Sequence, residues 1–288
     1  MTCSFADGPL FSAERAGKMK IALFAAFPQE IAQIKRKTAA VRLRAKAPPF
    51  TLYSGSCAAH ELIIVRTGMG VRNAEAAVEQ VCNAYAPGCL VSIGFGGALR
   101  PGLSTGDLVI ARSVSLLVAG APGMPMIPMI KDTLQLPDAG GAVRCIARML
   151  DASEGSIITI GERMTKAALA PHIPKDLPHP VCDMETYPLA RYAVNKDIPF
   201  LAVRAVTDSA EEDIPPELFA VTDEQGVYRS SRALRRLLLN PRLIPCSIRM
   251  GRNARTASMQ LWRAVQALSG MRQSYCEPGT AASGKSLR

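Results

Sequence analysis

Four charged side chains in this sequence sit at the ends of apolar runs, where they could do chemistry: Glu30, Glu185, Arg204 and Asp208. Carboxyl groups do proton work. A neutral one donates to a leaving group, and an ionised one takes a proton from water. Asp208 ends an apolar run that also holds Arg204, so both issue from one strand. Thr207-Asp208-Ser209 equally suits the N-cap of a following helix. Glu185 follows Asp183-Met184 where a helix begins, and acids there are also favourable charge at a helix N-terminus. Glu30 falls in the first turn of another helix, and Arg204 also suits a buried structural ion pair. Gly68-Met69-Gly70 and Gly94-Phe95-Gly96-Gly97 each follow a predicted strand. Ligands of open α/β sheets sit at such carboxyl ends, where small residues let backbone approach them; the same glycines also close tight turns. Neither run fits a phosphate-binding GxxxxGK[ST] loop or a dinucleotide fingerprint.

The elements that must position these groups follow from hydrophobic pattern. Strands are expected at 20–27, 50–54, 61–67, 89–94, 107–117, 156–160 and 199–206, with helices at 29–37, 73–85, a short stretch ending at 150, and 183–195. A long Pro/Gly/Met loop is expected over 119–141, either a lid or an insertion. Such alternation points to an α/β sheet wrapped by helices. With 48% hydrophobic and 20% charged residues, the 288-residue chain has the makings of a sizeable core, which excludes a disordered protein. No apolar run reaches the roughly 18 residues of a membrane span. Asp7, Glu14 and Arg15 interrupt the N-terminus, so no secretory signal is expected. Eight scattered cysteines without a CxxC pair and three unclustered histidines give no metal-ligand pattern, and reduced cysteines fit the cytoplasm.

Charge is uneven. Residues 1–224 carry 22 basic and 23 acidic side chains, whereas residues 225–288 carry 12 and one. Segments 232–240, 243–250 and 254–268 mix arginines with apolar residues and the single tryptophan, Trp262. A basic amphipathic stretch with an interfacial aromatic reads as a peripheral membrane contact through 229–268, or as leucines packed on the domain with solvated arginines. No recognition motif points to nucleic acid.

Four segments in order carry a resemblance: 21–30 (IALFAAFPQE), 66–70 (RTGMG), 92–99 (SIGFGGAL) with 106–109 (GDLV), and Asp183-Met184-Glu185 with 204–209 (RAVTDS). Their order and spacing resemble the purine nucleoside phosphorylase/nucleosidase superfamily over about residues 20–215, closest to the branch that includes methylthioadenosine/S-adenosylhomocysteine nucleosidase. The resemblance implies a three-layer α/β fold, a central mixed twisted sheet flanked by helices. It divides the chain into an extension (1–18), the nucleoside phosphorylase-like domain (19–215), a basic amphipathic extension (216–270) and a disordered tail (271–288).

The resemblance also implies roles. Asp208 is the acid at purine N7, kept protonated by burial. Glu185 accepts hydrogen bonds from ribose hydroxyls, Met184 walls the sugar, Glu30 orients the attacking water, and Arg204 supports the carboxylates. Gly68, Gly96 and Thr207 belong to the nucleoside site. An acid at position 30 repels phosphate and favours water. Phe95 stands where the family has a small Ser or Thr, making the sugar floor bulkier. Met164 replaces the aromatic that stacks on the purine. The extended basic C-terminus resembles the hopanoid-associated members, whose implied substrate is adenosylhopane, cleaved to adenine and ribosylhopane without metal or organic cofactor. Its alternatives are a phosphorylase on that substrate, a nucleosidase acting on methylthioadenosine, S-adenosylhomocysteine or futalosine, and a nucleoside-binding module without turnover. Homo-oligomers are usual in the family, with pockets partly completed by a neighbour.

Overall fold

The computed structural model describes residues 19–47, 50–119, 127–137, 141–162, 164–212, 235 and 238–270. The expected extension at 1–18, most of the helix at 232–240 and the tail at 271–288 lie outside the described residues. Ten strands form one mixed sheet in the order β10-β6-β8-β9-β5-β1-β4-β3-β2, with β7 added on β6. They are β1 (Lys20–Ala25), β2 (Ala39–Ala47), β3 (Phe50–Cys57), β4 (His60–Arg66), β5 (Cys89–Ala98), β6 (Leu108–Val118), β7 (Met129–Gln135), β8 (Ser153–Ile160), β9 (Val181–Asp183) and β10 (Phe200–Asp208).

The helices are α1 (Pro28–Lys37), α2 (Val71–Tyr85), α3 (Ala142–Leu150), α4 (Lys166–Leu169), α5 (Thr186–Asn195) and α6 (Ile244–Ser269). Successive strand residues face opposite sides of the sheet, and the cores divide accordingly. Ile21, Leu23 and Ala25 of β1 pack with α1, α3 and α6, whereas Ala22 and Phe24 pack with α2 and α5. This is the expected three-layer arrangement. β1 is apolar on both faces because helices cover both.

β5 is the hinge of the sheet. It pairs with β1 over Cys89–Ser92, with β10 over Leu90–Gly97, and with β9 through Gly97 and Ala98. Since β9 returns through β8 and β6 to β10, five strands close into a ring, and the glycine-rich half of β5 lies in its wall.

Three expectations need correction. The loop at 119–141 contains β7, which pairs with β6 along its whole length. Its MIKDTLQ sequence is mostly exposed at a sheet edge, so no buried alternation announces a strand. β2 (AAVRLRAKA) is likewise an edge strand, basic at alternate positions. Finally, segments 243–250 and 254–268 run into α6, whose Ala257, Leu261, Trp262, Ala264 and Val265 belong to the core shared with α1. Trp262 is 7% exposed, so it is a core residue and not an interfacial anchor. Among the described residues no helix is long and apolar enough to cross a membrane.

Candidate active site

The turn from β1 into α1 places Glu30. Pro28 starts the helix where its missing N–H costs nothing, and the Glu30 side chain folds back over the helix start. Its Oε2 accepts the backbone N–H groups of Ala26 and Phe27, each at 2.7 Å. Its Oε1 accepts the N–H of Phe95 at 2.7 Å, reaching across to β5. Gly94 makes this approach possible: a Cβ there would stand 2.7 Å from Oε1. Burial raises the Glu30 carboxyl above its ordinary value, opposed by these three amides and the Arg204 charge. Glu30 is therefore a desolvated carboxyl group held in one orientation.

Glu185 lies in the same cleft, whose walls also include Thr67, Ser92, Gly94 and Arg204. Its Oε1 accepts the N–H of Gly70 at 2.6 Å, which ties the glycine turn after β4 to the start of α5. Burial first, then the Asp183 charge, pushes the Glu185 carboxyl up to about 8. Gly68 is buried beside Thr67, whose hydroxyl donates to the Ala25 and Gly68 carbonyls.

Arg204 makes a buried ion pair: its guanidinium does not bond Glu30 or Glu185 but pairs with Asp183, Nη2 to Oδ2 at 2.6 Å and Nε to Oδ2 at 3.2 Å. Nη2 also donates to Ser92 Oγ at 2.7 Å and to the Thr186 hydroxyl. Asp183 in turn accepts the Thr186 N–H at 2.9 Å and the Thr159 hydroxyl at 2.7 Å, so it caps α5 and holds β8. The charge of Arg204 lowers both cleft carboxyls from a distance, which makes it a positioning residue.

Asp208 lies further along the same wall. β10 pairs Arg204 with Gly94 and Asp208 with Gly97, so Glu30 abuts β5 at Gly94 and Asp208 abuts it at Gly97. Asp208 Oδ1 accepts the Thr207 hydroxyl at 2.7 Å, and Oδ2 stands 2.5 Å from Lys166 Nζ. The Thr207 hydroxyl also reaches the Gly96 carbonyl at 3.5 Å.

Met164 and Met184 are half-buried against one apolar cluster that includes Ile158 and Ile160. Phe95 contributes its N–H, while its ring packs against the α1–α6 core. Sequence reasoning gave no role to Lys166, Ser92 or Thr186, although Ser92 opens the SIGFGGAL segment and Thr186 completes an Asp-x-x-Thr spacing across a helix start.

The family model described as the phosphorylase superfamily matches residues 20–239. The chain belongs to the phosphorylase superfamily. Among curated relatives of this member, the 5′-methylthioadenosine/S-adenosylhomocysteine nucleosidase of Anoxybacillus flavithermus is 24% identical over 206 residues, covering 68% of this chain and 88% of its own. The protein of the same name from Hydrogenovibrio crunogenus is 24% identical over 235 residues, covering 77% and 97%. The fold matches the Neisseria meningitidis nucleosidase in complex with methylthio-immucillin-A, at a TM-score of 0.62 and 19% identity, over 88% of this chain and 100% of that one.

Proposed function

We propose that the protein is a purine nucleosidase that hydrolyses the N-glycosidic bond of adenine nucleosides of the methylthioadenosine/S-adenosylhomocysteine type. The observation that carries this is Glu30: a buried carboxyl group fixed by three backbone N–H groups, one strand segment away from the Asp208–Lys166 pair. The nucleoside lies along Gly94–Gly97 with its base toward Asp208 and its ribose toward Glu185. Asp208 protonates the purine as the C1′–N9 bond lengthens, and the electron-poor sugar carbon takes up the water held by Glu30. Glu185 accepts ribose hydroxyl hydrogens and fixes the sugar. An acid at position 30 favours water over phosphate as the nucleophile. The two curated relatives described above, both named methylthioadenosine/S-adenosylhomocysteine nucleosidase, support this substrate class over the lipid nucleoside.

A second reading rests on one observation. Leu238, Leu239, Ile244 and Ile248 are exposed, between 42% and 74%, beside exposed Arg235, Arg242 and Arg249. Apolar side chains amid arginines suit an anionic membrane surface, and a substrate whose 5′ group is a lipid, adenosylhopane, would be met there. The experiment is adenine release from methylthioadenosine and from adenosylhopane in detergent, in parallel. Turnover of methylthioadenosine alone supports the first reading. Turnover of the lipid substrate alone replaces it with the second, and release from neither sinks both.

A further inference from the structure

The leaving-group end holds a cation that the reading above does not explain. Lys166 opens the four-residue helix α4, and its side chain is 11% exposed. Its Nζ lies 2.5 Å from Asp208 Oδ2 and donates to the backbone carbonyls of Asp208, at 3.2 Å, and of Ser209. Burying an ammonium costs several kcal/mol of hydration, which an isolated carboxylate repays only in good geometry. The fold makes room for that geometry. A Cβ at Gly97 would stand 2.7 Å from Asp208 Oδ2 and 3.0 Å from Lys166 Cε, so only glycine there admits the pair.

The contacts lay out a path for a proton. Asp208 Oδ1 meets the Thr207 hydroxyl, and Oδ2 faces Lys166 Nζ. The neighbouring Cys182 thiol is not a rival donor: burial, then the Asp208 charge, pushes it up to about 12. Lysine also differs from arginine here, since a buried ammonium can release a proton and a guanidinium does not.

We propose that Lys166 is the proton source for Asp208, supplying through that carboxyl the proton taken up by the departing purine, an assignment that rests on the nucleosidase reading. As C1′–N9 breaks, its electron pair goes to the base. One proton moves from Lys166 Nζ to Asp208 Oδ2, and the carboxyl delivers one to N7. The water oxygen bonds C1′ and its proton passes to Glu30 and then to solvent. The neutral Lys166 amine regains a proton from solvent, so the cycle balances without a co-reactant. Lys166 acts through Asp208 and is a positioning residue in this sense.

The test compares two variants on two leaving groups. Lys166→Met removes charge and proton, whereas Lys166→Arg keeps the ion pair, and with it the local fold, but has no proton to give. The substrates are methylthioadenosine and the p-nitrophenyl riboside with the same 5′-methylthio group, whose nitrophenolate departs unprotonated. Both variants are expected to lose about 100-fold in kcat for adenine release with KM within about threefold, and to keep nitrophenolate release within about threefold of wild type. Lys166→Arg releasing adenine at the wild-type rate overturns the proposal, because charge alone then suffices. Parallel loss on both substrates in a variant with the wild-type melting temperature overturns it too, because Lys166 then only shapes the pocket. Wild-type protein that cleaves neither substrate overturns the nucleosidase reading, and this assignment with it.

Discussion

At the scale of single residues, the cleft holds carboxyls that folding must neutralise or restrain. Glu185 is the clearest case, pushed from an ordinary 4.5 to about 8 by burial and then by Asp183. Between those values the folded protein binds a proton that the unfolded chain has released, so stability is complete below about 4.5 and falls as pH rises through about 8. Glu185→Gln removes the ionisation and so the penalty. The melting temperature of that variant should exceed wild type at about pH 9 and match it near pH 4, while turnover is lost. Identical melting curves for the two proteins across this range would remove Glu185 from the strained end of the cleft. Gly94 gives a complementary test of Glu30. Gly94→Ala sets a methyl 2.7 Å from Glu30 Oε1, so kcat should fall by about 100-fold or more while KM changes little. An unchanged kcat would show that the carboxylate can move without cost to the chemistry.

At the scale of elements, the Asp183–Arg204 pair ties β10 to β9 and to the start of α5. Breaking it leaves a buried charge without its counterion. Arg204→Ala should destabilise the protein by about 3–5 kcal/mol, measured by urea unfolding, as befits a buried pair losing one partner. A loss under about 1 kcal/mol would class the pair with exposed bridges. Much of this level was legible in the sequence. Apolar runs ending in Thr67, Gly94 and Asp208 marked the strands that carry the site, because strands buried on both faces need continuous apolar residues. Lys166 was not legible. It sits in a polar stretch with no periodicity, and its partner is reached only when β9 closes the ring. β7 and β2 were missed for the opposite reason: at a sheet edge, burial imposes no pattern. For α6 the apolar stripe was visible, but a stripe says that a face is buried and not what buries it.

At the scale of the whole molecule, α6 makes residues 244–269 part of one folded unit. Trp262 and Leu261 pack against the core that carries α1, and α1 carries Glu30. Trp262→Ala should therefore cost about 3–5 kcal/mol in unfolding free energy. A neutral result would return the helix to the role of a detachable extension. The same contact means that the C-terminal helix and the water-fixing end of the cleft are held by one core. The central claim of this account is that water, oriented by Glu30, attacks the sugar carbon. It is tested most directly by running the reaction with methylthioadenosine in heavy-oxygen water, with and without phosphate, and weighing the sugar product. The account predicts one solvent oxygen at C1′ of a free sugar and a rate indifferent to phosphate. A sugar 1-phosphate formed only when phosphate is present would contradict it.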